Sequence, residues 1–292
     1  VVNSPIWGPE IQRTRDYGAT WQGSVESPKL RGDDDKVSRI WHVEPGRVSE
    51  PDVVYAGAEP ASLFKSEDGG DTWSHMSGLA EHPSRPEWQP GLGGLCLHSI
   101  VTDGSDVSKM MVGISAVGAF GSMDGGQTWD TLNNGVRADF FPDRYPEFGQ
   151  CVHKMLSPTG MPDRLYQQNH CGVYRSDDSA ENWTDISKGV PSRLGFPIAV
   201  HPHAPRTIYV VPEIGPETRY VPNACFAVYR SRNAGKSWRK LTRGLPGKHA
   251  YVHVFRDAMT TDSCEDAGIY VGTSGGEIFF SPDSGDHWEL LH

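Results

Sequence analysis

Short apolar stretches alternate with polar, glycine-rich turns along the whole chain, and no segment keeps a helical period. Five units begin with an apolar strand that carries a histidine. These strands are Ile40–Val43, Leu95–His98, Cys151–Lys154, Ile198–His201 and Tyr251–Val254. A second apolar strand, a third strand, a turn and a short fourth strand follow in each unit. The pattern predicts repeated units of four antiparallel strands.

An eight-residue motif, Ser/Thr-x-Asp-x-Gly-x-x-Trp, follows the third strand of each of these five units, and one further copy precedes the first of them. Its six copies are Thr14–Trp21, Ser66–Trp73, Ser122–Trp129, Ser176–Trp183, Ser231–Trp238 and Ser281–Trp288. The tryptophans recur every 50–56 residues or so, roughly the period of a repeat array or ring. We predict a hairpin turn in which Asp accepts hydrogen bonds, Gly has a positive φ and Trp covers the adjacent seam. Six copies at one turn indicate a structural rather than a catalytic aspartate.

Two copies of this turn depart from the motif. Asn233 replaces the Asp of the fifth copy, and its amide oxygen can still accept hydrogen bonds. Ala180 replaces the Gly of the fourth copy. Alanine at a positive φ costs roughly 1 kcal/mol, so we predict that Ala180→Gly raises the melting temperature slightly.

The motif resembles the Asp-box, or BNR repeat, of sialidases, xyloglucanases and sortilin-type receptors. Leu165–Asp178 and Ala199–Pro212 are similar to a narrower group, bacterial propeller proteins labelled sialidase-like or BNR-repeat glycosyl hydrolases. The resemblance implies an all-β fold, a β-propeller of four-stranded antiparallel blades with six Asp-box repeats. We expect one domain over residues 1–292, with six blades, or seven if terminal residues are missing. The expected blades are a partial one at 1–24 and complete ones at about 37–76, 93–133, 150–187, 196–242 and 250–292.

Charge and composition restrict the classes of partner that the protein is expected to bind. The 292 residues include 27 basic and 37 acidic side chains, and the net charge of −10 disfavours nucleic acid or an anionic membrane. The apolar run around Met110–Phe120 is too short to span a bilayer. Gly23–Lys36, with its acidic run Asp33–Asp35, is predicted to be a solvated loop. The oligomeric state stays open.

The five cysteines bear on the compartment. An odd count without a paired framework favours reduced thiols and, with them, a cytoplasmic location. The chain begins at Val1 without Met, which indicates an incomplete N-terminus and leaves the compartment open.

In a propeller, the loops that enter the innermost strands and those that join second to third strands share one face, which we call the mouth. Long polar segments fall there, at 77–94, 135–150 and 212–225. The candidate ligand-binding residues are His98, His153, His170, Trp88, Arg137, Arg144, Tyr145 and Arg256. The candidate catalytic carboxylates are Glu147, Asp143, Glu213 and Asp257. Glycoside hydrolysis would need two such groups ~5–9 Å apart.

Histidine and cysteine recur together at the mouth. His98 and His153 hold equivalent positions in neighbouring units, each two residues after a cysteine, and His170 is expected to approach from the same face. Imidazole and thiolate are good zinc ligands. The candidate metal ligands are therefore Cys96, His98, Cys151, His153, His170 and Cys171. The alternative is a set of polar residues that line a channel and bind water. The sequence requires no cofactor, and a transition metal is the one candidate.

Three functions remain open at this stage. The first is a sialidase-like glycoside hydrolase, although the arginine motif Phe/Tyr-Arg-Ile/Leu-Pro is absent and its nearest counterpart, Gly195–Ile198, has no Arg. The second is a non-catalytic module that binds a ligand or takes part in assembly. The third is a metal-dependent enzyme of the lactonase or lyase kind. We expect a sialidase-like propeller with a small-molecule or glycan site at the mouth, and the sequence leaves open whether it is an enzyme.

Overall fold

The computed structural model describes residues 1–4, 6, 8–30, 36–215 and 217–292. The predicted acidic loop at 33–35 lies outside these residues. Within them, the regular elements are strands and three short 3₁₀ helices, which confirms the all-β class. The 3₁₀ helices are Ser77–Leu79, Arg85–Glu87 and Pro222–Ala224. No helix in this described part is long and apolar enough to cross a membrane.

The chain divides into two units, Val1–Thr131 and Leu132–His292. The first unit contains two small and two larger antiparallel sheets among its described residues. The small sheets pair β1 (Val2–Ser4) with β2 (Gly8–Glu10) and β3 (Gln12–Arg13) with β4 (Gln22–Gly23). One four-stranded sheet comprises β5 (Arg39–Pro45), β6 (Val54–Glu59), β7 (Ser62–Ser66) and β8 (Ser74–His75). The other comprises β9 (Leu97–Thr102), β10 (Met110–Ile114), β11 (Gly118–Ser122) and β12 (Asp130–Thr131).

The second unit contains three four-stranded antiparallel sheets among its described residues. The first sheet comprises β13 (Val152–Leu156), β14 (Leu165–Asn169), β15 (Gly172–Ser176) and β16 (Thr184–Asp185). The next comprises β17 (Gly195–His201), β18 (Ala204–Pro212), β19 (Val228–Ser231) and β20 (Arg239–Leu241). The last comprises β21 (Met259–Thr261), β22 (Ile269–Gly272), β23 (Ile278–Ser281) and β24 (Glu289–Leu290). The prediction that each sequence repeat forms a four-stranded antiparallel sheet is confirmed for these five sheets. The number of blades, the blade boundaries and the single domain stay predictions.

Apolar side chains between neighbouring sheets form the core of the second unit. Tyr209 on β18, Phe226 before β19 and Phe279 on β23 are buried in one cluster with Trp288. Tryptophans after the repeated turns also reach the preceding sheet: the indole N–H of Trp238 donates to the carbonyl of Ile186 at 2.8 Å. Each large side chain removed from water stabilises the fold by about 1.5–3 kcal/mol. Burial and these cross-sheet bonds together hold each sheet against the next.

The six repeated turns share one hydrogen-bond pattern. The Ser or Thr hydroxyl donates to the Asp or Asn side chain at 2.7 to 2.9 Å. The same hydroxyl accepts the N–H at the Gly position at 2.8 to 2.9 Å. The Asp or Asn oxygen accepts the N–H of the residue before Trp at 2.8 to 3.0 Å. The hydrogen bonds predicted for the turn are thus present, and the repeated aspartate is used to build the turn.

Backbone angles and pKa values follow from this pattern. Ala180 has φ 69°, so it occupies the left-handed conformation predicted for it, and Ser179 before it has φ 61°. The hydrogen bond from the Thr20 side chain is the largest of several that lower the pKa of Asp16 to about 2. Thr128 contributes most to the lowering of the pKa of Asp124 to about 2. These carboxylates stay charged because their donors favour the ionised form.

The innermost strand of the last sheet is not where the sequence predicted it. Tyr251–Val254 is not a strand, and β21 at Met259–Thr261 pairs with β22 instead. The backbone N–H groups of His253 and Val254 donate to side chains instead of to a neighbouring strand. The N–H of Val254 donates to the Glu213 carboxylate at 2.8 Å, and that of His253 donates to the Ser274 hydroxyl at 3.0 Å.

Candidate functional site

Cys151 and His170 are brought together where β13 begins and β14 ends. Val152 of β13 lies opposite Asn169 of β14, so the residues flanking this pair are neighbours. The N–H of His170 donates to the carbonyl of Cys151 at 3.0 Å. The β14–β15 connection that carries His170 is in turn held by Asn169, whose side-chain oxygen accepts the N–H of Cys171 at 3.0 Å. Backbone pairing therefore fixes the position of both residues.

His153 joins them because β13 has an irregular register. The pairing shifts between Val152 and Lys154, so His153 lies in a bulge. Bulges re-aim a side chain out of the regular alternation of a strand. Here the imidazole Nε2 lies 3.5 Å from the Sγ of Cys151.

One ligand atom each from Cys151, His153 and His170 lies within 4.8 Å of the others. Two ligands on one tetrahedral zinc ion lie ~3.3–3.6 Å apart, since Zn–S is about 2.3 Å and Zn–N about 2.0 Å. The Cys151–His153 pair, at 3.5 Å, already has this spacing, and the widest separation would have to close by up to roughly 1.5 Å for all three atoms to share one ion. Among the described residues, this is the group of potential metal ligands that the structure assembles. It contains three of the six candidates predicted from the sequence.

The hydrogen bond at Nδ1 fixes the tautomer of His153. Its Nδ1 lies 2.6 Å from the carbonyl oxygen of Gly195. A carbonyl oxygen only accepts, so the proton is on Nδ1 and the lone pair of Nε2 faces Cys151. A backbone carbonyl behind the distal nitrogen is the usual support of a metal-binding histidine.

Burial keeps His153 neutral. The ring is stacked on Phe196 with centroids 4.1 Å apart and planes 2° from parallel. Burial is the main cause that lowers its pKa to about 3, and the charges of His170, Arg256 and Arg219 lower it further. An imidazolium–thiolate pair with Cys151 is therefore disfavoured at neutral pH, whereas a neutral imidazole is the form that binds a metal.

Aromatic rings and arginines surround the group of Cys151, His153 and His170, which we call the cluster. His170 meets His153 edge-on at 5.6 Å and Phe140 at 5.7 Å. Burial, followed by the charge of Arg219, lowers the pKa of His170. The Arg219 guanidinium lies 5.0 Å from the centroid of the Phe196 ring. The field at the cluster is therefore positive, which favours an anionic group there.

The four predicted catalytic carboxylates have different surroundings. Glu213 is fully buried and contacts Nδ1 of His253 at 2.6 Å. Asp257 forms an ion pair with Lys154 at 3.0 Å. Asp143 is exposed and accepts the N–H of Tyr145 at 2.9 Å, and Glu147 is exposed.

Acid catalysis needs a carboxyl group whose pKa is raised. Where the described carboxyl groups have a resolved pKa shift, the shift is downward. The groups concerned are Asp16, Glu67, Asp68, Asp103, Asp106, Asp124, Asp178, Asp185, Asp262 and Asp283. The titration behaviour of the described carboxyl groups therefore does not single out a general acid.

The loop before β13 carries three further candidates. Arg137 donates to Asp139 at 2.8 Å, and Arg144 lies 3.9 Å from the same carboxylate. Tyr145 is exposed, as are Phe140 and Phe141 in the same loop. Cys171 is turned toward this loop, since its sulfur accepts the N–H of Asp139 at 3.4 Å.

The remaining candidates belong to the first unit. His98 is buried on β9, with Nδ1 3.0 Å from the hydroxyl of Ser99. Cys96, just before β9, is also buried. Trp88 is packed against Phe120 at 5.0 Å between ring centroids, and it is 6% exposed, which leaves little surface on which a ligand could stack. The roles predicted for these residues stay predictions.

Phe196 was not predicted as a member of the site, whereas Arg219 was placed at the mouth without being named as a candidate ligand-binding residue. In the sequence, Gly195–Ile198 was compared only with the arginine motif, which it lacks. In the structure, the carbonyl of Gly195 fixes the tautomer of His153, and the ring of Phe196 stacks on the imidazole of His153. Arg219 lies in the long segment 212–225, which the sequence did assign to the mouth. The length of the 212–225 segment was therefore a sequence signal for Arg219. No feature of the sequence indicated the stacking of Phe196 on His153.

A cavity of about 470 Å³ lies beside the cluster's strand, along β13, β17 and β21. These three edge strands lie next to one another in the second unit. The lining includes Lys154 and His201. Lys154 directly follows His153, so the cavity and the cluster share one strand.

Comparison with known proteins shows which solved structures have a similar fold. No family model matches the chain, and no curated protein matches it. Among solved structures, an ancestral GH74 enzyme is similar over 98% of this chain and 36% of its own, with 17% identity and a TM-score of 0.62. The GH74 xyloglucanase from Xanthomonas campestris is similar over 89% of this chain and 39% of its own, with 17% identity and a TM-score of 0.60. YCF48 bound to D1 peptide is similar over 86% of this chain and 68% of its own, with 16% identity and a TM-score of 0.52.

These similarities have a limited scope. The chain spans only about a third of the length of the GH74 proteins it matches. At such low identity, a shared fold does not carry over an activity. The chain has a fold similar to that of these β-propeller proteins.

Proposed function

We propose that this chain is an Asp-box propeller that holds a transition metal at Cys151, His153 and His170 and uses it in a reaction of the lactonase or lyase kind. The observation that carries the proposal is the convergence of three ligand atoms within 4.8 Å, one of them a neutral imidazole of fixed tautomer. The metal assignment is the same one that the sequence motivated, now restricted to these three residues.

Zinc fits this set of ligands best. Thiolate and imidazole are both ligand types that zinc accepts, and three protein ligands leave a fourth position for water or substrate. Bound zinc lowers the pKa of its water to about 7, which supplies a hydroxide or a Lewis acid near neutral pH. Cys151 would lose its proton on binding, and its negative charge would offset part of the positive field of the arginines.

The surroundings of the cluster favour an acidic, sugar-sized substrate. Arg219 and Arg256 both act electrostatically on His153, so a carboxylate placed beside the metal would be attracted to them. The exposed ring of Phe140 contacts His170 and offers a face on which a sugar-like ring can stack. The combination suits a sugar acid or its lactone.

A glycoside hydrolase is the second candidate, and the fold likeness to a GH74 xyloglucanase favours it. Exposed Phe140, Phe141 and Tyr145 would then stack on a glycan. The sialidase-like form of this proposal is weakened by the missing arginine motif. A non-catalytic module that binds a peptide, as the YCF48 complex suggests by fold, is the third candidate and would need no metal.

A substrate screen with metal-loaded and chelated protein separates these candidates. We expect aldonolactones and unsaturated or acidic sugars to be turned over by the zinc-loaded protein only. His153→Ala and His170→Ala should each reduce turnover at least 100-fold, because each removes one ligand. His203→Ala, an exposed histidine elsewhere in the second unit, is the matched control and should keep full activity.

The screen has two results that contradict the proposal. Glycoside turnover that survives chelation would favour the second candidate. If nothing is turned over and a peptide or glycan binds equally well with and without metal, the site belongs to a binding module.

A further inference from the structure

A second site lies at the other end of the sheet that carries the metal ligands. In that sheet Asn169 pairs with Gly172 at the end near His170, and Leu165 pairs with Ser176 at the far end. A five-residue strand is about 17 Å long, so the two ends are well separated. A cavity of about 310 Å³ lies at the far end, beside the fourth and fifth repeated turns.

The lining of this cavity is strongly basic, although the protein as a whole is acidic, with a net charge of −10. Its cations are Arg164, Arg175, Arg206, Arg232 and Lys236, and its carboxylate is Asp177. Five positive side chains against one negative leave a local excess of four positive charges. Like charges gathered around one cavity repel one another, and a bound anion removes that repulsion.

Part of the lining is held in place before any ligand binds. Arg164 and Arg175 share the Asp177 carboxylate, with Nε–O distances of 2.7 and 2.9 Å. Arg175 also donates through Nη1 to the carbonyl of Ala234 at 2.7 Å. These contacts orient two guanidinium groups at the cavity wall.

The other cations come from the neighbouring sheet. Arg206 is on β18, Arg232 directly follows β19, and Lys236 belongs to the fifth repeated turn. All three are exposed. Arg232 also lies 3.7 Å from the Asp286 carboxylate, so a ligand that enters from solvent would compete with Asp286 for this guanidinium.

We propose that this cavity binds a phosphate or sulfate group carried by a small organic molecule. Arginines bind tetrahedral oxyanions through paired N–H donors, and several cations together compensate a double negative charge. The volume of about 310 Å³ is at the lower end for small-molecule sites, roughly 300–1,000 Å³, so it admits a sugar-sized body. The site is separate from the metal centre, because Arg164 and Arg175 lie at the opposite end of the β13–β16 sheet from His170 and the other cations come from the neighbouring sheet.

Isothermal titration calorimetry at constant ionic strength tests the proposal. The probes are inorganic phosphate, sulfate and glucose 6-phosphate, each against a chloride reference. We expect saturable binding that weakens at least 10-fold in the triple variant R206Q/R232Q/K236Q. Arg206→Gln alone should weaken binding at least threefold, and it serves as the second variant if the triple variant fails to fold. Lys248→Gln, another exposed cation of the second unit, is the matched control and should bind as the unchanged protein does.

The three probes also distinguish the source of the anion. Equal binding of all three supports a site for the tetrahedral oxyanion, and tighter binding of glucose 6-phosphate identifies an organic phosphate as the ligand. Absence of saturable binding for every probe overturns the proposal. Binding that is unchanged in Arg206→Gln and in the folded triple variant overturns it as well.

Discussion

The buried carboxylate of Glu213 gives the sharpest stability prediction, because it replaces a strand pairing. Its side chain is fully buried, and its two oxygens have different partners. One lies 2.6 Å from Nδ1 of His253, and the other accepts the N–H of Val254 at 2.8 Å. Glu213→Ala removes both contacts, which leaves the buried N–H of Val254 and the partly buried Nδ1 of His253 without this partner.

The size of the effect follows from these two contacts. A hydrogen bond to a charged group contributes about 1.5–3 kcal/mol, and the Glu213 carboxylate makes two such contacts. We therefore expect Glu213→Ala to lower the free energy of unfolding by ~3–5 kcal/mol. Glu213→Gln keeps an oxygen for Val254 and loses only the charge beside His253, so we expect about half that loss.

Urea unfolding, followed by tryptophan fluorescence, measures the loss. Glu217→Ala is the matched control, because Glu217 is an exposed carboxylate in the same segment and should change stability by less than ~0.5 kcal/mol. A Glu213→Ala protein that is as stable as the control would refute the structural role. If it also lost all turnover, Glu213 would be a catalytic carboxylate, as the sequence suggested.

Two other predictions concern the repeated turns. Ala180→Gly should raise the free energy of unfolding by at most ~1 kcal/mol, because relief of ~1–2 kcal/mol of left-handed strain outweighs the ~0.8 kcal/mol of one buried methyl group; calorimetry that shows a lower melting temperature would contradict this. Gly235→Ala should destabilise by more than the same strain, since its new Cβ would lie 2.4 Å from a carbon of Ile186. The pKa of Asp124 is lowered to about 2 from an ordinary 3.8, so its contribution to stability is complete above about pH 4 and is lost as the pH falls toward 2. Asp124→Asn, which copies the natural Asn233, should therefore show a weaker dependence of stability on pH between 4 and 2 in acid titrations, and an unchanged dependence would argue against the reasoning.

Local patterns were sufficient to predict the strands and turns. Short apolar runs and a turn motif of fixed spacing depend on a few neighbouring residues, so the four-stranded repeats and the hydrogen bonds of Ser122–Trp129 could be predicted from the sequence. The prediction of a strand at Tyr251–Val254 was wrong because the local sequence has the apolar composition of a strand. Its N–H groups are taken by Glu213 and Ser274, which are distant in sequence.

The site was predictable only where strand register brings residues together. Cys151, His153 and His170 meet because β13 pairs with β14. Equivalent positions in the repeat already pointed to Cys151 and His153, and the shared face of the connection pointed to His170. Cys171 follows His170, but its side chain contacts the Asp139 backbone instead of the cluster. Such orientations, like the stacking of Phe196, depend on packing between sheets and leave no mark on the local sequence.

Titration of the metal-free protein with Co²⁺, followed by absorption spectroscopy, tests the metal centre most directly. We expect one bound Co²⁺ per chain with a thiolate-to-metal charge-transfer band, because Cys151 supplies a sulfur ligand. The band should disappear in Cys151→Ser and persist in Cys264→Ser, in which an exposed cysteine far along the chain is changed. Absence of stoichiometric binding, or a charge-transfer band that survives in Cys151→Ser, would contradict the metal site.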